Sequence, residues 1–304
     1  MALHRIIDVT LGVPSADIDA TAEYYMEFGL SPVASSSETD AHRWFASVDG
    51  GRQFALVPAA ERRLVSLGIG VDDEDDLRRI AASLDGIGVA SQLADNRLDT
   101  CEPVSGLDVR VEVAPRIVPA GMDAPSYNGP GNAARRNLRS PCIERADPVR
   151  PRRLGHVGIG SNDEPTTRRF FREGLGFKVS DEITDRAVFL RCSSDHHNVM
   201  LFAAPVNFLH HTSWEVDDVD EVGRGAAKLL AGHPERYCYG LGRHWVGSNF
   251  FYYLRDPAGY LSEYYSDMDQ ITEEELWTVG VFDSAADGWG PAIPVGFGSP
   301  AEQH

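Results

Sequence analysis

The chain has 304 residues, 42% of them hydrophobic and 24% charged, and carries a formal net charge of −18. That length suits about two domains, the composition excludes disordered and collagen-like chains, and a surface this acidic repels phosphate backbones, which argues against nucleic acid as a partner. No window approaches the roughly 20 apolar residues of a membrane span, and Met1 to Gly12 holds no signal-peptide stretch, so the expectation is a cytoplasmic protein with no membrane partner.

Taken in chain order, one pattern is written twice. Ile7 to Pro32 reads as a short strand, a polar capping turn and an amphipathic helix that closes in Phe-Gly-Leu. Val65 to Leu84 is a strand running into a Val-Asp-Asp cap and a second helix. Gly155 to Val179 repeats the first unit and closes in Leu-Gly-Phe, while His210 to Leu230 repeats the second. Glycine just past a helix is a stop signal, and Asp before one is a start signal. Short strands follow at Ala187 to Arg191, Asn198 to Ala203, Asn249 to Leu254 and Tyr260 to Tyr265. The predicted fold class is α+β: paired βαβββ modules in two tandem domains, each an open cupped β-barrel with helices outside. The expected boundaries are 1–118 for a first domain, 119–150 for a linker, 151–268 for a second domain and 269–304 for a strap. The linker's arginines (Arg135, Arg136, Arg139, Arg145, Arg150) suit a segment wrapped across acidic modules. The strap, with Trp277 and Trp289, is expected to pack on the second half near the mouth of a pocket.

The four cysteines, Cys101, Cys142, Cys192 and Cys238, form no Cys-x-x-Cys pair and read as reduced, mostly buried thiols. Histidine carries more information. Seven of the ten lie between His156 and His244, four of them in two adjacent pairs. When the halves are aligned on their shared pattern, His156 faces Asp8, His211 faces Ser66, and Glu263 faces about Arg110. Two imidazoles and a carboxylate are the ligand set of the facial triad, which leaves adjacent coordination positions of Fe(II) open. On one strand, His156, Gly158 and Gly160 share a face, and the two glycines suggest open volume beside a metal. His233 reads as a surface or capping residue, and His4 and His42 lack partners.

These residues resemble the extradiol ring-cleaving dioxygenases of the vicinal oxygen chelate superfamily. The motifs that carry the resemblance are Leu-Gly-His156-Val, His196-His197-Asn-Val-Met, Leu-His210-His211-Thr and Gly-Arg-His244 followed by Tyr253-Leu-Arg-Asp-Pro-Ala-Gly-Tyr-Leu-Ser-Glu263. Tyr252 departs from the aliphatic residue or Phe usual before Tyr253. The resemblance implies His156, His211 and Glu263 as metal ligands, with Fe(II) as the ion and Mn(II) as the other ion this set accepts. It implies a catechol-type substrate bound through both oxygens, O2 as co-substrate, His197 as acid–base residue, and His244 and Tyr253 as hydrogen-bonding partners of the substrate. A homo-oligomer is also implied. Only one of two neighbours on a strand is expected to point inward, and the resemblance implies the second of each pair, His197 and His211, over His196 and His210; His196 stays open for the acid–base role. Trp214, Phe208, Trp245, Ser248 and the tail are expected to wall the pocket, and the glycines favour a substituted or bicyclic catechol. Two other readings stand beside this one: a glyoxalase-like isomerase or thiol transferase of the same superfamily, and a metal-free binder of aromatic ligands.

Overall fold

The computed structural model describes residues 3–34, 41–121, 125–283 and 287–300. In the first half, β1 (Leu3–Pro14), α1 (Ile18–Glu27), β2 (Ser31–Val33), β3 (Arg43–Ser47) and β4 (Gly51–Ala59) are followed by β5 (Arg63–Val71), α2 (Glu74–Gly86), β6 (Ser91–Ala94), β7 (Arg97–Cys101) and β8 (Asp108–Val113). A one-turn helix, α3 (Pro141–Glu144), lies between the halves. The second half repeats the order: β9 (Arg153–Ser161), α4 (Glu164–Arg169) prolonged by a π-helical turn to Gly174, β10 (Lys178–Ile183), β11 (Ala187–Arg191) and β12 (Val199–Ala203). Then come β13 (Phe208–Glu215), α5 (Val219–Leu230), β14 (Tyr237–His244), β15 (Phe250–Arg255) and β16 (Leu261–Ser266). The architecture is α+β with four βαβββ units. Two tail strands, β17 (Gly280–Phe282) and β18 (Asp287–Trp289), complete the second sheet. The sheet orders are β2-β3-β4-β1-β5-β8-β7-β6 and β17-β10-β11-β12-β9-β13-β16-β15-β14-β18, so neither cup closes.

Local sequence explains much of this. The Val-Asp-Asp motifs cap their helices: Asp73 accepts from the Asp76 amide at 2.9 Å and Asp218 from the Glu221 amide at 3.0 Å. Each such cap is worth about 1 kcal/mol. Asp163 caps α4 in the same way, whereas Asp17 before α1 makes no side-chain cap. The halves share one core. Phe28 stacks on Tyr264 with ring centroids 4.0 Å apart, and the Tyr264 hydroxyl donates to the Phe28 carbonyl. Tyr260 donates to the Gly12 carbonyl, and the Leu154 amide to Gln53. Trp214, fully buried, packs against Phe28 and Phe54 in this seam, so it belongs to the core and not to a pocket wall.

Between the halves, Arg145 bridges to Asp218 on the cap of α5. The tail adds an edge strand at each end of the second sheet. β17 (Gly280–Phe282) pairs with β10, and β18 (Asp287–Trp289) pairs with β14. Residues 284–286 and 301–304 of the expected strap lie outside the described residues. The thiols depart from expectation: Cys192 and Cys238 are buried, but Cys101 is exposed and Cys142 half-buried.

Candidate metal centre

Strand register brings the distant candidate ligands together. β13 runs antiparallel to β9 and parallel to β16, so His156, Ser213 and Glu263 occupy one cross-strand row, and His211 sits opposite Gly158 in the next. The Nε2 atoms of His156 and His211 are 3.1 Å apart. Glu263 Oε2 lies 3.2 Å from the first and 3.5 Å from the second. An octahedral ion with bonds of about 2.1 Å separates neighbouring ligand atoms by about 3 Å, so the spacing suits one ion. All three side chains are buried, and Glu263 Oε2 has no hydrogen-bond partner among the described residues. A buried carboxylate oxygen left without a donor costs several kcal/mol unless a charge compensates it. The donor set therefore fits a divalent cation.

The electrostatics agree. Burial, reinforced by the neighbouring histidines, drives His211 well below the usual imidazole range, so it is neutral and able to ligate. Burial alone would raise the Glu263 carboxyl, but the nearness of the His156, His244 and His211 rings outweighs it and holds Glu263 below the ordinary carboxylate range. The other predicted residues ring this group. The His197 ring is 4.2 Å from that of His156, and the Tyr253 ring 5.2 Å from that of His211. His244 Nε2 lies 3.1 Å from the Tyr253 hydroxyl and 3.8 Å from Glu263 Oε1. Burial lowers His197 strongly, with His156 and His196 adding to it. Burial likewise raises Tyr253, with Glu263 next, so its hydroxyl keeps its proton.

These groups sit in a cavity of about 550 Å³ whose lining includes His156, His197, His211, His244 and Tyr253. Its walls are mostly apolar, with Ile183, Phe189, Met200, Phe202, Val246 and Phe297, and Asp185 and Arg186 also line it. Several sequence expectations need correction. Gly158 and Gly160 do not leave open volume. A Cβ on Gly158 would meet the His211 ring at 2.5 Å, and one on Gly160 would meet Phe208 at 2.3 Å, so the ligand ring and Phe208 fill that space. Trp245 lines the cavity, but Phe208, Trp214 and Ser248 do not; the Ser248 hydroxyl donates to Asp269. The rule that only one of two adjacent histidines faces inward fails for His210 and His211. A register shift between Leu209 and His211 breaks the alternation, and both line the cavity. In the other pair His197 faces the cavity while His196 is bonded to Asp181 at 3.0 Å. His233 is exposed beside Glu235, and His42 stacks on Trp44.

Sequence reasoning left four contributors unnamed, although one of them, Phe297, belongs to the tail it expected at the pocket wall. Asn249 lies 3.4 Å from Glu263 Oε1, and no local pattern marks it. Met200 and Phe202 alternate toward the cavity while Val199 and Leu201 enter the core; strand parity could have found them. Phe297 arrives from the far end of the chain.

Fold and site together define a class: a cupped α+β protein with two histidines lining a largely apolar cavity and a buried carboxylate beside them. Residues 153–264 match the Glyoxalase/Bleomycin resistance protein/Dioxygenase superfamily. The chain is 32% identical over 311 residues to Metapyrocatechase 2 of Cupriavidus necator, covering 96% of this chain and 91% of that protein. It is 28% identical over 283 residues to a biphenyl-2,3-diol 1,2-dioxygenase of Pseudomonas sp. (strain KKS102), covering 88% and 91%. A solved Mn(II)-bound glyoxalase from Novosphingobium aromaticivorans superimposes with a TM-score of 0.74 at 26% identity, over 97% of this chain and 93% of that one. The chain belongs to the extradiol ring-cleaving dioxygenases of this superfamily.

Proposed function

We propose that the chain opens catechol-type rings with O2, using an Fe(II) ion held by His156, His211 and Glu263. The observation that carries this is the convergence of three buried candidate ligand atoms, one of them a carboxylate oxygen without a hydrogen-bond partner among the described residues, beside a largely apolar cavity. When bound, a ferrous ion supplies Lewis acidity toward a diol and a path for electrons between the ring and O2. The protein's own part is proton handling and positioning. His197 is a buried, neutral imidazole on the cavity wall, ready to accept a substrate proton and return it later. Such acid–base assistance is worth about 10²–10⁴ in rate. Tyr253, held protonated by burial, and His244, bonded to it, offer hydrogen bonds to the diol oxygens in a site where water is scarce. The cavity's size and apolar walls favour a catechol bearing an apolar substituent over catechol itself. The working form is taken to be a cytoplasmic homo-oligomer.

The test is anaerobic loading with Fe(II) or Mn(II), then a panel of catechols in air with O2 uptake and product absorbance recorded. Fe(II)-dependent O2 consumption with a coloured ring-opened product is expected, and kcat/KM is expected to be higher for alkyl- or aryl-substituted catechols. Metal-loaded protein that consumes no O2 with any catechol would refute the reading. It would favour an isomerase like the glyoxalase that superimposes on this chain.

A further inference from the structure

His210 is buried, lines the cavity and has no part in the ligand set. Its Nδ1 lies 2.6 Å from Nδ1 of His211, and its Nε2 is hydrogen-bonded to the backbone carbonyl of Phe297 in the C-terminal tail. The Phe297 ring is wedged among His210, Tyr239 and Tyr253, with centroids 4.8, 5.0 and 5.0 Å away. His156 differs: its Nδ1 has no hydrogen-bond partner among the described residues.

Proton bookkeeping then fixes the direction of the chain of bonds. A carbonyl only accepts, so the Phe297 oxygen requires a proton on His210 Nε2. A neutral imidazole carries one N–H, so His210 Nδ1 is an acceptor, and the proton between the two Nδ1 atoms belongs to His211. With its Nδ1 protonated, His211 presents a bare Nε2, the atom that faces His156 and Glu263. Metal-ligating histidines depend on such an outer bond for tautomer and ring orientation.

Resting on the metal reading above, we propose that His210 is a positioning residue through which the C-terminal tail sets the tautomer of His211, so that docking of the tail and metal affinity are coupled. The tail is more than a cavity wall in this account. Phe297 closes the cavity with its ring and prepares a ligand with its carbonyl.

The test measures Mn(II) affinity of substrate-free protein by competition with a chelating dye, on four chains: the full chain, His210→Ala, a chain ending at Ala292, and the two changes combined. His210→Ala and the truncation are each expected to weaken Mn(II) binding about 10- to 100-fold, and the combined variant is expected to bind no more weakly than either alone. His210→Asn, which keeps an acceptor at the Nδ1 position, is expected to bind nearly as well as the full chain and to be insensitive to truncation; it also guards against simple misfolding. Full-length protein that binds no Mn(II) would refute the metal reading itself. Mn(II) binding that ignores both the tail and His210, or losses that add independently, would overturn the coupling while leaving the metal reading intact.

Discussion

The two halves place different chemistry at the same register. In the first, β1 and β5 set Thr10 opposite Ser66 and Asp8 opposite Gly68, and Gly68 pairs with Arg110 on β8. In the second, Gly158 faces His211, His156 faces Ser213, and Ser213 pairs with Glu263. Asp8, Ser66 and Arg110 thus stand where His156, His211 and Glu263 stand. Arg110 donates to the Asp8 carboxylate, and its Nε lies 3.0 Å from Glu112. One half neutralises its buried carboxylate with a cation from its own chain. The other leaves a carboxylate oxygen without a hydrogen-bonding donor and surrounds it with imidazoles. The fold supplies convergent positions, and residue type decides whether they form an ion pair or a site for an ion.

The sharpest way to break this contrast is Glu263→Ala. Metal binding and ring cleavage are expected to vanish while the apo fold survives; metal content by elemental analysis together with thermal melting checks both. Next, His197→Ala should retain metal and substrate binding but lower kcat about 10²–10⁴-fold. Normal turnover would remove His197 from the mechanism.

The turn acids of the two halves differ as well. Glu102, between β7 and β8, accepts from the Ser105 amide and hydroxyl and from Thr167. Asp256, its counterpart between β15 and β16, accepts from the Tyr260 amide, while its Oδ2 has no such partner among the described residues. Burial pushes the Asp256 carboxyl up to about 7, against weaker opposing hydrogen bonds. Its folded-state value lies above the unfolded one, so its contribution is complete below about pH 4 and is lost as pH rises to about 7. That difference corresponds to about 4 kcal/mol at most. Asp256→Asn should flatten this part of the stability profile in denaturant titrations between pH 4 and 7.

Arg110→Ala should strand the Asp8 carboxylate and cost about 3 kcal/mol in urea unfolding without changing metal content. The smallest expected effect is at Gly158. The first half accommodates Thr10 at this position, but Gly158→Ala would press on the His211 ring and is expected to weaken metal binding about tenfold. Unchanged affinity would mean that the ring has room to give.

Much of this was legible locally. The Val-Asp-Asp caps, the glycine helix stops and the fourfold recurrence follow from capping and periodicity, which act over a few residues. The identities of His156, His211 and Glu263 stood out because their counterparts in the first half carry no such chemistry. Long-range register was not legible. It alone sets His156 and Glu263 in one row, inserts the shift that turns both His210 and His211 inward, and sends Trp214 into the seam between halves. It also filled the space beside Gly158 with the His211 ring, and it brought Phe297 from the end of the chain onto His210. Hydrophobic alternation assigns a residue to a face of its strand; which partner strand it meets, and at what offset, is settled only when the sheets assemble.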